Sequence, residues 1–261
     1  MGVARRCFLV AVGLLACASG LILGASAGRA AEVKIATEGT YKPFSFFTSG
    51  GELTGFDVEL TLAICKAAGL NCVMVTMDND AVLPALNDKK VDAISTGMSV
   101  TEKRKKVVAF TDRIRSSGKQ FVSCAPDKFT DISPDALKGH VIGTQAGTTN
   151  ADFFQADYAD SDVRLYKSTD EAFQDLAAGR VELVLAQIAV GYDFTVSPAG
   201  AGCKFVGPRI ENKKFFGEGV AIALRPADVE LKAAFDAGLR KVLADGTYKA
   251  LNDKYFPFSL Y

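Results

Sequence analysis

Two stretches 90 residues apart follow one plan: Leu86-Asn-Asp-Lys-Lys90-Val91-Asp92-Ala-Ile94 and Leu176-Ala-Ala-Gly-Arg180-Val181-Glu182-Leu-Val184. Each runs from a helix ending in Leu, through a basic residue, to Val, an acid and a buried strand. Both stand at the same place in an alternation of short β runs and amphipathic stretches. Residues 33–37 (VKIAT) read as a strand, and 72–76 (CVMVT) as another. Between them Phe56, Leu60, Ala63, Ile64 and Ala67 recur at helical spacing up to Gly69, a C-cap residue. Such alternation implies largely parallel sheets covered by helices. The duplication therefore predicts two lobes, each an α/β sandwich, with Thr96-Gly97 at a strand end in the first matching Ala186-Gln187 in the second. Ligands of open α/β sheets bind at the carboxyl ends of strands, so two lobes with those ends facing form a clamp.

The same pattern sets boundaries. Residues 31–115 form the first part of lobe one, 116–214 lobe two, and 215–261 the returning part of lobe one. Arg115-Ser-Ser-Gly-Lys119, small and polar before a strand over 120–124, serves as one crossing, and Glu211-Asn-Lys-Lys214 as the other. Residues 229–243 are an amphipathic helix, and Tyr248, Leu251, Tyr255 and Phe256 continue at helical spacing.

Ahead of the lobes, Arg5 and Arg6 precede an uncharged apolar run over 7–27 that ends Ala25-Ser26-Ala27. That order is an export signal over 1–30, cleaved near Ala27 or Ala30. The run is long enough to span a bilayer uncleaved, but glycines interrupt it and small residues crowd its end. Leu14-Leu15-Ala16-Cys17 resembles a lipoprotein cleavage box, although apolar sequence continues past Cys17. The expectation is a protein working outside the cytoplasm, in the periplasm.

Charge and cysteine content narrow the function classes. The chain carries 30 Lys and Arg against 30 Asp and Glu, and without residues 1–30 the balance is 27 to 30. No broad cationic face for nucleic acid follows from that. A single histidine, His140, excludes a His-rich metal site and argues against a His-based triad. Beyond the leader stand Cys65, Cys72, Cys124 and Cys203, an even number in an exported chain, which makes disulfides expected. Cys65 and Cys72 flank a short turn between helix and strand. Cys124 and Cys203 form either a second bridge or two separately buried thiols. The spacings offer no zinc site.

Three stretches sit where the clamp would close. Met98-Ser99-Val-Thr101-Glu-Lys-Arg104 follows a strand over 91–95; Thr101 is an N-cap and Arg104 falls in the first helical turn, a carboxylate receptor. The plainer reading is a solvated charge run. Gln145-Ala-Gly147-Thr148-Thr149-Asn150 is the counterpart in lobe two, where Gly147 permits close approach and Thr149 offers a hydroxyl and an amide to an anion. Tyr41, just past Glu38 at the end of the first strand, can stack on a ligand while Glu38 meets a cation.

At these residues the chain resembles the periplasmic solute-binding proteins of polar amino-acid ABC importers, near the lysine/arginine/ornithine- and histidine-binding members. Gly55-Phe56-Asp57, Lys89-Lys-Val-Asp-Ala93, Ser99-Val-Thr-Glu-Lys-Arg104, Ala109-Phe-Thr-Asp112, Gln145-Ala-Gly-Thr148 and Asp245-Gly-Thr-Tyr248 carry the resemblance, which runs from Val33 to Tyr261. It implies a two-lobed cleft protein that closes on one amino-acid-like ligand, docks on a membrane permease, acts as a monomer and uses no cofactor, metal or catalytic residue. By position Arg104, helped by Ser99 and Thr149, would hold the α-carboxylate. Thr96 and the Gly97 carbonyl would face the amino end, Tyr41 would stack on the side chain, and Glu38 would meet a cationic tip. Cys65 and Cys72 match the disulfide of that family.

Two positions depart from it. Where basic amino-acid binders place an Asp against the α-ammonium, this chain has Gln187, a neutral acceptor. Where an aromatic usually walls the side-chain slot, it has Asn79. Both suit an N-substituted amino acid bearing a second carboxylate, as in opines, as well as a plain basic amino acid held more weakly. Two other classes compete: an enzyme on the same scaffold acting on a cyclic amino acid, for which Ser116-Ser-Gly-Lys119 matches Ser-x-x-Lys but falls in a crossing and not at a helix start, and a ligand-binding sensor component that signals through another protein.

Overall fold

The structure, a computed structural model, describes Met1, Gly2 and residues 32–261; the expected export segment, with Ala27, Ala30 and the lipoprotein-like Cys17, lies outside the described residues. The chain first builds β1 (Glu32–Thr37), β2 (Thr40–Tyr41), β3 (Ser45–Phe47), β4 (Leu53–Thr54), α1 (Phe56–Ala68), β5 (Asn71–Thr76), α2 (Val82–Asn87), β6 (Ala93–Ile94), α3 (Glu102–Lys105) and β7 (Ala109–Phe110). It then makes β8 (Lys119–Ser123), β9 (Val141–Gln145), α4 (Thr149–Asp157), β10 (Asp162–Tyr166), α5 (Thr169–Ala177), β11 (Leu183–Gln187), α6 (Ile188–Thr195), β12 (Lys204–Ile210) and α7 (Lys213–Phe216). The last part is β13 (Ala223–Leu224), α8 (Val229–Ala244) and α9 (Thr247–Tyr255).

Two five-stranded mixed sheets result, ordered β5-β1-β6-β13-β7 and β10-β9-β11-β8-β12. In each, three parallel strands are followed by one antiparallel to the third. That fourth strand is the one arriving from the other lobe, β13 in the first sheet and β8 in the second. An antiparallel strand begins where its parallel neighbours end, so the first residues of β8 lie beside the carboxyl ends of β9 and β11.

The sequence repeat is a structural repeat. Lys89 and Gly179 occupy equivalent left-handed positions after α2 and α5, with φ of 59° and 70°. Val91 and Val181 are both buried. Asp92 Oδ2 accepts from the Lys34 amide of β1 at 3.0 Å, and Glu182 Oε2 accepts from the Val141 amide of β9 at 3.1 Å. In each lobe the acid after Val thus satisfies an early amide of the neighbouring parallel strand. The strand predicted over 91–95 is limited in the structure to Ala93–Ile94.

Phe56, Leu60 and Ile64 of α1 are fully buried, and Phe235, Leu239 and Val242 of α8 join the same core. Phe56 meets Tyr248 and Phe256 edge-on at 5.7 and 5.5 Å, so the C-terminal segment packs back on the first sheet's helices. The segment expected as the return crossing, 211–214, runs into the short helix α7. Lys213 and Lys214 open α7, and Phe215 and Phe216 pack edge-on against Phe153 of α4 at 5.5 and 5.1 Å. The two phenylalanines give a segment that reads as polar an apolar face.

Both disulfides are formed, Cys65–Cys72 and Cys124–Cys203. The second follows from register: Lys204 of β12 pairs with Ser123 of β8, which sets the residues just outside the ladder side by side. In the chain-entropy account, closing 7 residues contributes about 2.5 kcal/mol and closing 79 about 4.5 kcal/mol.

Candidate functional site

The carboxyl ends of β1, β6, β9 and β11 meet around a cleft between the sheets. Glu38, Tyr41, Asn79, Thr96, Gly97, Met98, Ser99 and Arg104 line it from one side, and Gln145, Thr148, Thr149 and Gln187 from the other. Of the ligand contacts expected from the sequence, Gly147 alone is off the wall. Its φ is 69°, and a Cβ there would stand 3.7 Å from Asn79 Nδ2, so it shapes the turn that lets the two lobes approach. Ser116 lines a separate cavity with Arg115 and Arg209. The Ser-x-x-Lys pair is therefore split, with Ser116 on that cavity and Lys119 on the cleft.

Local capping places the binding groups. Thr101 Oγ1 accepts from the Arg104 amide at 3.2 Å, and Arg104 Nη1 donates to Ser99 O at 3.3 Å. That bond folds the guanidinium back over the cleft. Thr148 Oγ1 donates to Gln145 O at 2.7 Å and accepts from the Ala151 amide at 3.4 Å, starting α4 with the amides of Thr149 and Asn150 at its open end. Helix N-termini favour anions. Arg104, opposite, is half-buried, and its pKa is lowered by that burial, with Asp152 opposing.

The far end is acidic. Glu38 accepts from Gln145 Nε2 at 2.8 Å, while Thr169 Oγ1 donates to Gln145 Oε1 at 3.1 Å and fixes that amide. Burial pushes the Glu38 carboxyl up to about 7; the Gln145 bond opposes this, and Asp170 and Asp78 add to it.

Three wall residues were not among the expected ligand contacts. Lys119, Asn150 and Thr169 complete the wall. Lys119 is 5% exposed, and burial, then Arg115 and Arg104, pull it down to about 7. Asn150 Oδ1 is buried without a hydrogen-bond partner. Behind the wall Arg115, fully buried, holds Asp57 through Nε and Nη2 at 2.8 Å each and lies over the Phe44 ring, 3.5 Å from its centroid. Its Nη1 donates to Gln187 Oε1. One lone pair of the Gln187 oxygen is thus engaged by Arg115 from behind the wall. Gly97 makes room for the guanidinium, since a Cβ there would lie 2.8 Å from Arg115 Nη2, and its φ is 71°. The crossing read as small and polar thus carries two buried cations. The legible signal was an arginine and a lysine bracketing small residues beside a strand that must run antiparallel.

The lobes touch around the cleft. Lys103 pairs with Asp152 at 2.9 Å and Lys42 with Asp193 at 3.7 Å, and Asn79 Nδ2 donates to Ala146 O at 3.5 Å. Glu38 to Gln145 and Arg115 to Gln187 are buried hydrogen bonds between them.

The two buried titrating groups give the ligand-free protein an unusual pH profile. Glu38 keeps its proton in the fold up to about 7, whereas the unfolded chain loses it near 4.5, so its contribution to stability falls as pH rises through that window. Lys119 sheds its proton near 7 in the fold but near 10.5 when unfolded, so its contribution rises with pH from about 7 upward. Together they place a stability minimum near neutrality. In Tm measured against pH, Glu38→Gln should remove part of the acid-side fall and Lys119→Met part of the alkaline-side rise.

Residues 33–258 match the family model of bacterial extracellular solute-binding proteins, family 3. The histidine-binding periplasmic protein of Escherichia coli strain K12 is 37% identical over 234 residues, covering 88% of this chain and 89% of that one. The L-arginine-binding protein of Pseudomonas aeruginosa is 38% identical over 232 residues, with 88% and 89% covered. Among solved structures, an ancestral arginine-binding protein bound to arginine superposes with a TM-score of 0.78 at 34% identity, over 86% of this chain and 98% of that one.

Proposed function

Because the chain belongs to the bacterial extracellular solute-binding proteins, family 3, we propose that it is the periplasmic receptor of an ABC importer for a basic or polar amino acid or an N-substituted derivative. One observation carries the reading. A small cleft between two lobes has Arg104 and a helix N-terminus at one end and Glu38 at the other. A carboxylate at Arg104 and a cationic or hydrogen-bonding tip at Glu38 match an amino acid laid along it, with Tyr41 as the flat wall.

Binding and closure are one equilibrium. Arg104 and Thr149, and likewise Glu38 and Gln145, come from opposite lobes, so a ligand held by both gains contacts only when the lobes are shut. Occupancy then favours the closed form by that differential affinity. A permease that senses the closed shape receives loaded copies. In this reading the protein acts as a monomer after removal of its leader and leaves its ligand unchanged.

A thermal-shift screen followed by calorimetry tests this, using histidine, lysine, arginine, ornithine, glutamine and Nα-(1-carboxyethyl)-L-arginine. At least one should raise Tm by several degrees with 1:1 binding. No shift from any of them, or conversion of a bound compound to product, would overturn the reading.

A further inference from the structure

We infer that Arg115, which does not line the main cleft, is a positioning residue for the ligand's amino group: from behind the wall it fixes the Gln187 side-chain amide so that an oxygen, and not an NH2, meets that group. The inference rests on the receptor reading above and deepens it.

A glutamine amide can present either its oxygen or its nitrogen, and the cleft by itself does not choose. Arginine has donors only, so Arg115 Nη1 selects Oε1 of Gln187. The guanidinium that makes this choice is held from three sides. Its Nε and Nη2 donate to the two oxygens of Asp57 at 2.8 Å each, and its plane lies over the Phe44 ring, 3.5 Å from the centroid. No part of it reaches solvent. Asp57 stands in the first turn of α1 and Phe44 just before β3, both in lobe one, whereas Gln187 ends β11 in lobe two. The charge of Arg115 is balanced by Asp57, so what it brings to Gln187 is a fixed donor and not a bare cation.

The same guanidinium backs both walls of the cleft at one point. A Cβ on Gly97 would lie 2.8 Å from Arg115 Nη2, so Gly97 of lobe one and Gln187 of lobe two are its two neighbours on the cleft side. With the ligand carboxylate at Arg104 and its tip at Glu38, the amino group falls between them, on the stretch of wall made by Thr96, Gly97 and Gln187. An amide oxygen accepts two bonds, and Arg115 engages one lone pair. The other is left for an N–H of the ligand, already oriented before binding. A glutamine without that anchor would have to be ordered when the ligand arrives, a cost of up to about tenfold in affinity.

Calorimetry on the full mature protein tests this with arginine, lysine, histidine and glutamine, each against the analogue that lacks only the α-amino group: 5-guanidinopentanoate, 6-aminohexanoate, 3-(imidazol-4-yl)propanoate and 4-carbamoylbutanoate. The readout is the preference for the amino acid over its analogue. Two variants remove the anchor in different ways. The double variant Asp57→Leu, Arg115→Met deletes both charges, and Arg115→Lys keeps the ion pair without the fork that serves Asp57 and Gln187 together. Each should cut the preference by about tenfold while changing the analogue's affinity by less than about threefold. A melting curve shows that each is folded, and the outcome in either one suffices. In a Gln187→Leu background the same substitutions should move the preference by less than about threefold, because the group they act through is gone. Equal losses for amino acid and analogue would mean that Arg115 is only structural, and a drop that persists without Gln187 would mean that it acts by another route. Either result would overturn the inference and leave the receptor reading standing. A parent protein that binds none of the four amino acids would overturn the inference, and the receptor reading with it if the wider screen is also blank.

Discussion

Arg104→Ala is expected to weaken binding of arginine and of Nα-(1-carboxyethyl)-L-arginine by about 2–5 kcal/mol, roughly 30- to several-thousand-fold, without lowering Tm. The size follows from what the guanidinium meets. In the cleft it stands half-buried, bonded within the protein to the Ser99 carbonyl, with its remaining donors free for an anion. Removing it leaves a ligand carboxylate with the α4 amides alone, in a site from which water is largely displaced. The fold should not suffer, because in the ligand-free protein this side chain is a desolvated cation whose burial is already unfavourable. Titration calorimetry paired with a melting curve decides the matter. An affinity within threefold of the parent would mean that the carboxylate lies elsewhere, and a Tm loss of many degrees would mean that Arg104 is chiefly structural.

The second large effect concerns stability. Asp57→Ala should cost about 3–5 kcal/mol, because it leaves Arg115 fully buried with an uncompensated charge. For a domain of this size that corresponds to a Tm lower by about 6–20 °C. The pair itself is a different quantity. Taking both ions out of water is unfavourable, so a well-packed apolar replacement is often neutral or stabilising. The double variant Asp57→Leu, Arg115→Met should therefore recover most of the lost stability, while freeing the oxygen of Gln187. Chemical denaturation of the three proteins checks the sequence of values. A single variant that loses less than about 1 kcal/mol would show that Arg115 finds another partner or water.

How much of this was legible varies residue by residue. The two-copy pattern around Val91 and Val181 was readable because each side chain in it answers to a local rule: a helix end, a left-handed residue, a buried Val, an acid on the neighbouring strand. The helices α1 and α8 showed their apolar spacing directly. The cleft residues were readable for the same reason, since Thr101 and Thr148 are N-caps at strand ends and the groups beside them must project there. Lys119 and Arg115 were not. Their neighbours Ser116, Ser117 and Gly118 suggest an exposed linker, and nothing local records that Asp57, 58 positions away, waits for Arg115. Phe215 and Phe216 escaped likewise, because their partner Phe153 lies on another helix.

What the amino-acid order by itself determined was the repeated α/β plan, the placement of strand ends around a cleft and the presence of Arg104 and Glu38 on its wall, all consequences of period, capping and turn rules acting within a dozen residues. Tertiary structure alone decided which way the amide of Gln187 points, whether a lysine in a crossing is buried, and that Cys124 meets Cys203. Those outcomes depend on groups distant in the chain being held within a few ångströms of each other, and the desolvation that gives a buried ion its force exists only once the two lobes have packed.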